Sequence, residues 1–223
     1  MSRFTRREII VAAAGMALGR AWAAEPWVEG KNYFRIERPP TVAGQGAPAV
    51  TEIFSYGCPA CNAFLPYMQS LEKKLPANAA LEYLPAGWIA AENWPALQRA
   101  YLTAKALGVA KKAHVTMFDA VWKTGELASI DPRTQRPKSP LPSLQDIARF
   151  YERVAAVPVA KFLETAKSFA VDSDIRRTDS LIKAYGADST PTIIVNGVYR
   201  LDPGAAGGAQ QAVDLTLWLL RRK

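Results

Sequence analysis

The chain holds only two thiols, and they stand together as Cys58-Pro59-Ala60-Cys61. At the start of a helix, straight after a strand, this spacing sets the first sulfur against unpaired backbone N–H groups and the positive end of the helix dipole. That field lowers a thiol pKa. The second sulfur, almost one turn on, faces the first, so the pair can open and close a short disulfide. Pro59 suits a first helical turn, where no N–H is needed, and it stiffens the loop. A bridge over two residues constrains little unfolded-chain entropy, so the pair is poorly suited to being a structural staple. The competing chemistry for C-x-x-C is half of a zinc site. Tetrahedral zinc needs two more ligands, and the chain has no other cysteine and a single histidine, His114. His114 falls in a helical stretch and reads as an ordinary amphipathic-helix residue. No metal is expected.

A second signal is Ser189-Thr190-Pro191-Thr192, where a proline opens an apolar run. Proline forfeits a ladder bond there, so it belongs at a strand's first residue or in a special turn.

The elements that must position these residues can be read from periodicity. Val28 to Ile36 and Ala49 to Ser55 read as strands, separated by the Pro- and Gly-rich turn Pro39 to Pro48, and Cys58 follows the second at once. From Pro59 the pattern turns helical, with Phe64, Leu65, Met68, Leu71 and Leu75 on one face. Leu81 to Leu84 is a further strand. Between Trp88 and Gly186 the spacing is helical almost throughout, including a face of Val115, Phe118, Val121 and Trp122, with Ser143 and Asp146 as a capping-box-like entry. Ser129 to Pro142, rich in proline, reads as an extended loop. Thr192 to Val195, Asn196-Gly197 and Val198 to Leu201 predict a hairpin, because Asn-Gly tolerates positive φ at both turn positions. A Gly/Ala loop from Gly204 to Gly208 then leads to a last helix carrying Val213, Leu217 and Leu220. Deleting the helical block leaves βαβ followed by ββα.

Composition bounds what such a molecule can be. With 223 residues, 49% hydrophobic and 22% charged, the chain can bury a core and is not disordered. The apolar run Ile9 to Gly19 is too short to span a bilayer, which takes about 20 residues. Arg3, Arg6 and Arg7 precede it and Ala21-Trp22-Ala23 follows it, so residues 1–23 read as a signal peptide cleaved near Ala23. Thr5-Arg6-Arg7-Glu8-Ile9-Ile10 also resembles a twin-arginine signal, and the export route stays open. Removing that segment leaves 24 basic and 19 acidic side chains, a balance of +5 with no basic stripe. Nucleic acid is not an expected partner.

Together the C-x-x-C helix start and the Thr190-Pro191 loop resemble the thioredoxin superfamily. Glu29 to Tyr33, Glu52 to Cys61 and Thr190 to Gly197, with the large helical insertion, are similar to the DsbA branch, the periplasmic thiol oxidases. The resemblance implies an α/β thioredoxin fold: a central mixed sheet flanked by helices, with an inserted all-helical domain. The expected division is 24–87 and 187–223 for the thioredoxin-like parts and 88–186 for the insertion. It implies that Cys58 is the exposed nucleophile, Cys61 its more buried partner and Pro191 a cis-proline, with Thr190 offering backbone groups to a substrate strand. Glu52 matches the family's buried acid beneath the site; its bland alternative is a satisfied or surface strand glutamate.

Two departures bear on the chemistry. The family's type member has histidine before the second cysteine, where this chain has Ala60, and its acid has a lysine partner on the adjacent strand, whereas Asn78 to Leu84 holds no lysine. Both should make the site less oxidising. The implied activity is thiol:disulfide oxidation, in which a monomer donates its Cys58–Cys61 disulfide to reduced, unfolded exported proteins in the periplasm. No cofactor is expected beyond that disulfide, and a quinone-linked membrane partner of the DsbB type would reoxidise it. The rivals are an isomerase or reductase of the DsbC or DsbG kind, and a non-enzymatic peptide-binding chaperone. Only about 25 residues lie between Ala23 and the strand leading to Cys58, too few for the dimerisation domain of the former.

Overall fold

A computed structural model describes residues 26–40, 48–131 and 133–222. The expected signal peptide lies outside them, as do residues 41–47 of the turn that follows Pro39.

Five strands form one mixed sheet: β1 (Phe34–Arg35), β2 (Ala49–Phe54), β3 (Ala80–Pro85), β4 (Thr192–Val195) and β5 (Tyr199–Leu201), in the order β1-β5-β4-β2-β3. β2 and β3 run parallel, joined through helix α1 (Pro59–Lys74), and the other pairings are antiparallel. This is the mixed sheet flanked by helices that the sequence implied. β3 forms one edge and the two-residue β1 the other.

The period-two alternation of the central strands builds a core on each face. Ile193 and Val195 join Val50, Phe64, Met68 and Leu71 under α1 and the last helix, α8 (Ala209–Leu220). Their neighbour Ile194, with Ile53 and Leu84, joins the other core. That core is closed by α2 (Trp94–Ala106), α3 (Ala110–Trp122), α4 (Leu144–Ala155), α5 (Val159–Ala166) and α6 (Phe169–Ala184). Among the described residues, no helix is long and apolar enough to cross a membrane.

Local signals act as expected at several ends. Ser143 and Asp146 complete a reciprocal capping box on α4, and Asn196 and Gly197 take φ of 54° and 69° in the hairpin turn.

Four sequence expectations need correction. Val28 to Ile36 is not one strand: Gly30, at φ +79°, donates to the Tyr33 carbonyl at 2.8 Å and closes a turn bridged between Glu29 and Tyr33, so the strand itself is only Phe34–Arg35. Along α3, Val115 and Trp122 are exposed, and the buried face is His114, Met117, Phe118 and Val121 at the i, i+3, i+4, i+7 spacing. The 129–142 loop carries a small antiparallel bridge between Ile130 and Pro137. The Gly/Ala loop after β5 contains a short helix, α7 (Pro203–Ala206), capped by Asp202, whose carboxylate accepts from Ala205 N–H at 2.9 Å.

Candidate functional site

Cys58 is the N-cap of α1, in extended conformation, and its Sγ accepts from the Cys61 N–H at 3.4 Å. Pro59 occupies the first turn, as its missing N–H allows. The preceding loop is tied back on β2: Cys58 N–H donates to the Ser55 carbonyl at 3.1 Å and Gly57 N–H to Ser55 Oγ at 3.2 Å.

At the start of β4, which pairs antiparallel with β2, the Thr190–Pro191 peptide bond is cis and the Thr190 carbonyl lies 3.4 Å from Cys58 Sγ. The fold thus juxtaposes two loops separated by 132 positions. Both cysteines are free thiols in this structure. Cys58 is less exposed than expected, at 5% against 1% for Cys61, because the Thr190 loop closes over its sulfur. Pro59 and Ala60 are exposed.

The two sulfurs differ in electrostatics far more than in exposure. A hydrogen bond from the Cys61 thiol, with smaller contributions from the Thr190 side chain and the Cys61 and Ala60 N–H groups, outweighs burial and draws the Cys58 pKa down to about 6. Cys61 is pushed far up, first by burial, then by its bond to Cys58 and the charge of Glu52. Glu52 is 3% exposed, which excludes the surface-glutamate alternative. Burial, helped by the Cys58 thiolate, pushes its pKa up to about 8. In β-sheet register it stands opposite Tyr83 on β3.

Residues that the sequence reading did not assign to the site surround this centre. Tyr56, buried, meets His114 Nδ1 through its hydroxyl at 3.0 Å, and its carbonyl accepts from Trp122 Nε1 at 2.8 Å. The Trp94 indole lies against Gly57, and Trp88 stacks on Trp94 with ring centroids 6.4 Å apart. His114, on the buried face of the amphipathic helix α3, is held against the active-site loop. The available signal was adjacency, since Tyr56 and Gly57 directly precede Cys58. Among the described residues, no three His, Cys, Asp or Glu side chains gather where they could hold a metal ion.

A nucleophile poised as thiolate, beside a partner held as thiol and an acid holding its proton near neutrality, can run thiol–disulfide exchange. Comparison with known proteins agrees. No family model matches the chain. It is 32% identical to the thiol:disulfide interchange protein DsbA of Pseudomonas aeruginosa, covering 98% of this chain and 97% of that protein. The DsbA of Pseudomonas syringae pv. tomato is 34% identical, covering 97% of this chain and 96% of the relative. A crystal structure of Pseudomonas aeruginosa DsbA superposes with a TM-score of 0.74 at 31% identity, covering 89% of this chain and 95% of that one. The oxidoreductase DsbA from Xylella fastidiosa gives a TM-score of 0.74 at 28% identity, covering 88% and 97%.

Proposed function

The chain belongs to the DsbA family and is a thiol:disulfide oxidoreductase of thioredoxin fold; on that premise we propose that it acts as a monomer in the periplasm, passing the Cys58–Cys61 disulfide to reduced, unfolded exported proteins. The observation that carries the assignment is Cys58 Sγ at the N-terminus of α1, its pKa drawn down to about 6 beside a partner whose pKa is pushed up.

A substrate thiolate attacks Cys58 Sγ and the bond to Cys61 breaks, so Cys61 leaves with the electron pair. Its high proton affinity calls for a proton, which Glu52, protonated below pH about 8, is suited to supply. A second substrate thiolate then attacks the substrate sulfur of the mixed disulfide and expels Cys58. That group leaves readily because it is stable as thiolate. Two electrons now rest on the Cys58–Cys61 dithiol, and a quinone-linked membrane partner of the DsbB type takes them up. The exchange needs no further cofactor. Thr190, with its carbonyl beside the reacting sulfur, is positioned to pair with an extended client backbone, and the exposed side chains of Trp88, Ile89 and Trp122 offer apolar surface to unfolded chains.

Mixing the oxidised protein with a reduced dicysteine peptide tests the assignment. The wild type should release the peptide disulfide; Cys61→Ser, given oxidised glutathione instead, should accumulate a Cys58–glutathione mixed disulfide with release of one glutathione thiol, and Cys58→Ser should do neither. Equal alkylation rates for the two thiols of the reduced protein would overturn the roles. Full cellular activity in Cys58→Ser would restore the chaperone reading.

A further inference from the structure

Helix α3 grips the residue two positions ahead of Cys58 from two directions. His114 Nδ1 meets the Tyr56 hydroxyl at 3.0 Å, and about two turns later Trp122 Nε1 donates to the Tyr56 carbonyl at 2.8 Å. On the other flank, a Cβ on Gly57 would lie 2.5 Å from Trp94 Nε1, so the loop is pressed between α2 and α3.

His114 is 6% exposed, and the rings of Phe54, Tyr83, Tyr101 and Phe118 surround it. An apolar ring would fill this cage with no buried nitrogen of its own, at the cost of the Tyr56 hydroxyl's partner. Among the described residues the imidazole's Nε2 is instead buried with no hydrogen-bond partner, and burial holds its pKa down to about 4, so it stays neutral. A buried polar group kept at such a cost points to the one bond it makes, the bond to Tyr56.

We propose that His114, assisted by Trp122, is a positioning residue that fixes the Tyr56–Cys58 segment and thereby favours the reduced form of the Cys58–Cys61 pair. In the dithiol form only non-covalent donors hold the Cys58 sulfur, among them the Cys61 N–H at 3.4 Å, and they stabilise a thiolate best when the loop delivers the sulfur to them without reorganisation. In the disulfide form the S–S bond itself supplies that constraint. Loosening the loop therefore weakens the reduced form more than the oxidised one. The inference rests on Cys58 being the exchanging nucleophile.

The test is the equilibrium of the protein with glutathione, read beside the ultraviolet absorbance of the Cys58 thiolate. His114→Phe keeps the ring and removes the bond. It should raise the Cys58 pKa and shift the equilibrium about fivefold toward the disulfide, the factor expected of one hydrogen bond. Tyr56→Phe should do the same, and the double variant should add little, because both remove one interaction. His114→Asn, whose amide can still reach the Tyr56 hydroxyl, should hold the equilibrium near wild type although it packs worse and melts earlier. Should His114→Phe fail to fold, Tyr56→Phe carries the test alone. Equal destabilisation of the oxidised and reduced forms with an unmoved equilibrium, or equal shifts for Phe and Asn at position 114, overturns the proposal. A wild type that exchanges no disulfide with glutathione overturns the exchange reading itself, and this inference with it.

Discussion

Ala60 stands exposed between the two thiols, and its N–H is among the groups that hold the Cys58 sulfur as thiolate. A histidine there keeps that N–H and adds an imidazole, so Ala60→His should lower the Cys58 pKa further and raise the reduction potential. Each pKa unit corresponds to at most about 30 mV for a two-electron couple. Thiolate titration and the glutathione equilibrium should move together. Glu52 gives a second expectation, in folding stability. Its pKa rises from 4.5 to about 8 in the fold, so between those values the folded protein binds more protons than the unfolded chain, and stability falls as pH rises. Cys58 acts in the opposite sense: its pKa falls from 9.0 to about 6, so in the reduced protein it adds stability that grows as pH rises across that interval. The two slopes oppose each other between pH 6 and 8. Removing the carboxyl in Glu52→Gln should leave the Cys58 slope alone, so the reduced variant should gain stability steadily from pH 6 to 9 in urea titrations. A variant with the wild-type pH profile would show that Glu52 is not the group carrying the falling slope.

The loop between β2 and α1 works only because α2 leaves room for a residue without a side chain. Gly57→Ala would drive a methyl into the Trp94 indole, and a misfit of this kind costs about 1–3 kcal/mol. Chemical denaturation should report that loss, and adding Trp94→Phe should recover part of it. This contact also marks the limit of what was legible beforehand. Elements whose cause is local could be read directly: the Asn196-Gly197 turn, the Ser143 and Asp146 cap, and the start of α1 at a C-x-x-C with proline. The approach of Thr190 to Cys58 was accessible only through family resemblance, because no local pattern reports a contact across 132 positions. Apolar counting misjudged α3, since it ranks Val115 and Trp122 as core and histidine as polar. The structure exposes the first two and buries His114, whose partner Tyr56 lies 58 positions away. The strand expected over Val28 to Ile36 failed at Gly30, where positive φ turns the chain.

Across the whole molecule the sheet is the wall between two cores, and Phe54 stands where β2 delivers the chain to the active-site loop. Fully buried, its ring meets those of Tyr56, Tyr83, Tyr101, His114 and Phe118, so it ties the sheet to α2 and α3. Phe54→Ala should cost about 3–5 kcal/mol, and because the cores on the two faces share the sheet, far- and near-ultraviolet signals should still be lost in one transition. Two separate transitions would show that the helical block folds apart from the sheet. The rim of that sheet has its own consequence. Along β3, Ala80 and Ala86 turn their N–H groups inward to Pro48 and Phe54, so by alternation Leu81 and Tyr83 turn theirs outward, while Pro85 has none and its carbonyl is taken by Gln98 Nε2 at 3.0 Å. Glu82 adds an exposed charge, and the opposite rim, β1, is two residues long. Neither rim offers a long, bare row of donors and acceptors on which sticky strands could stack. In the proposed role, a catalyst that meets half-made chains is thereby built to release them rather than to seed their aggregation.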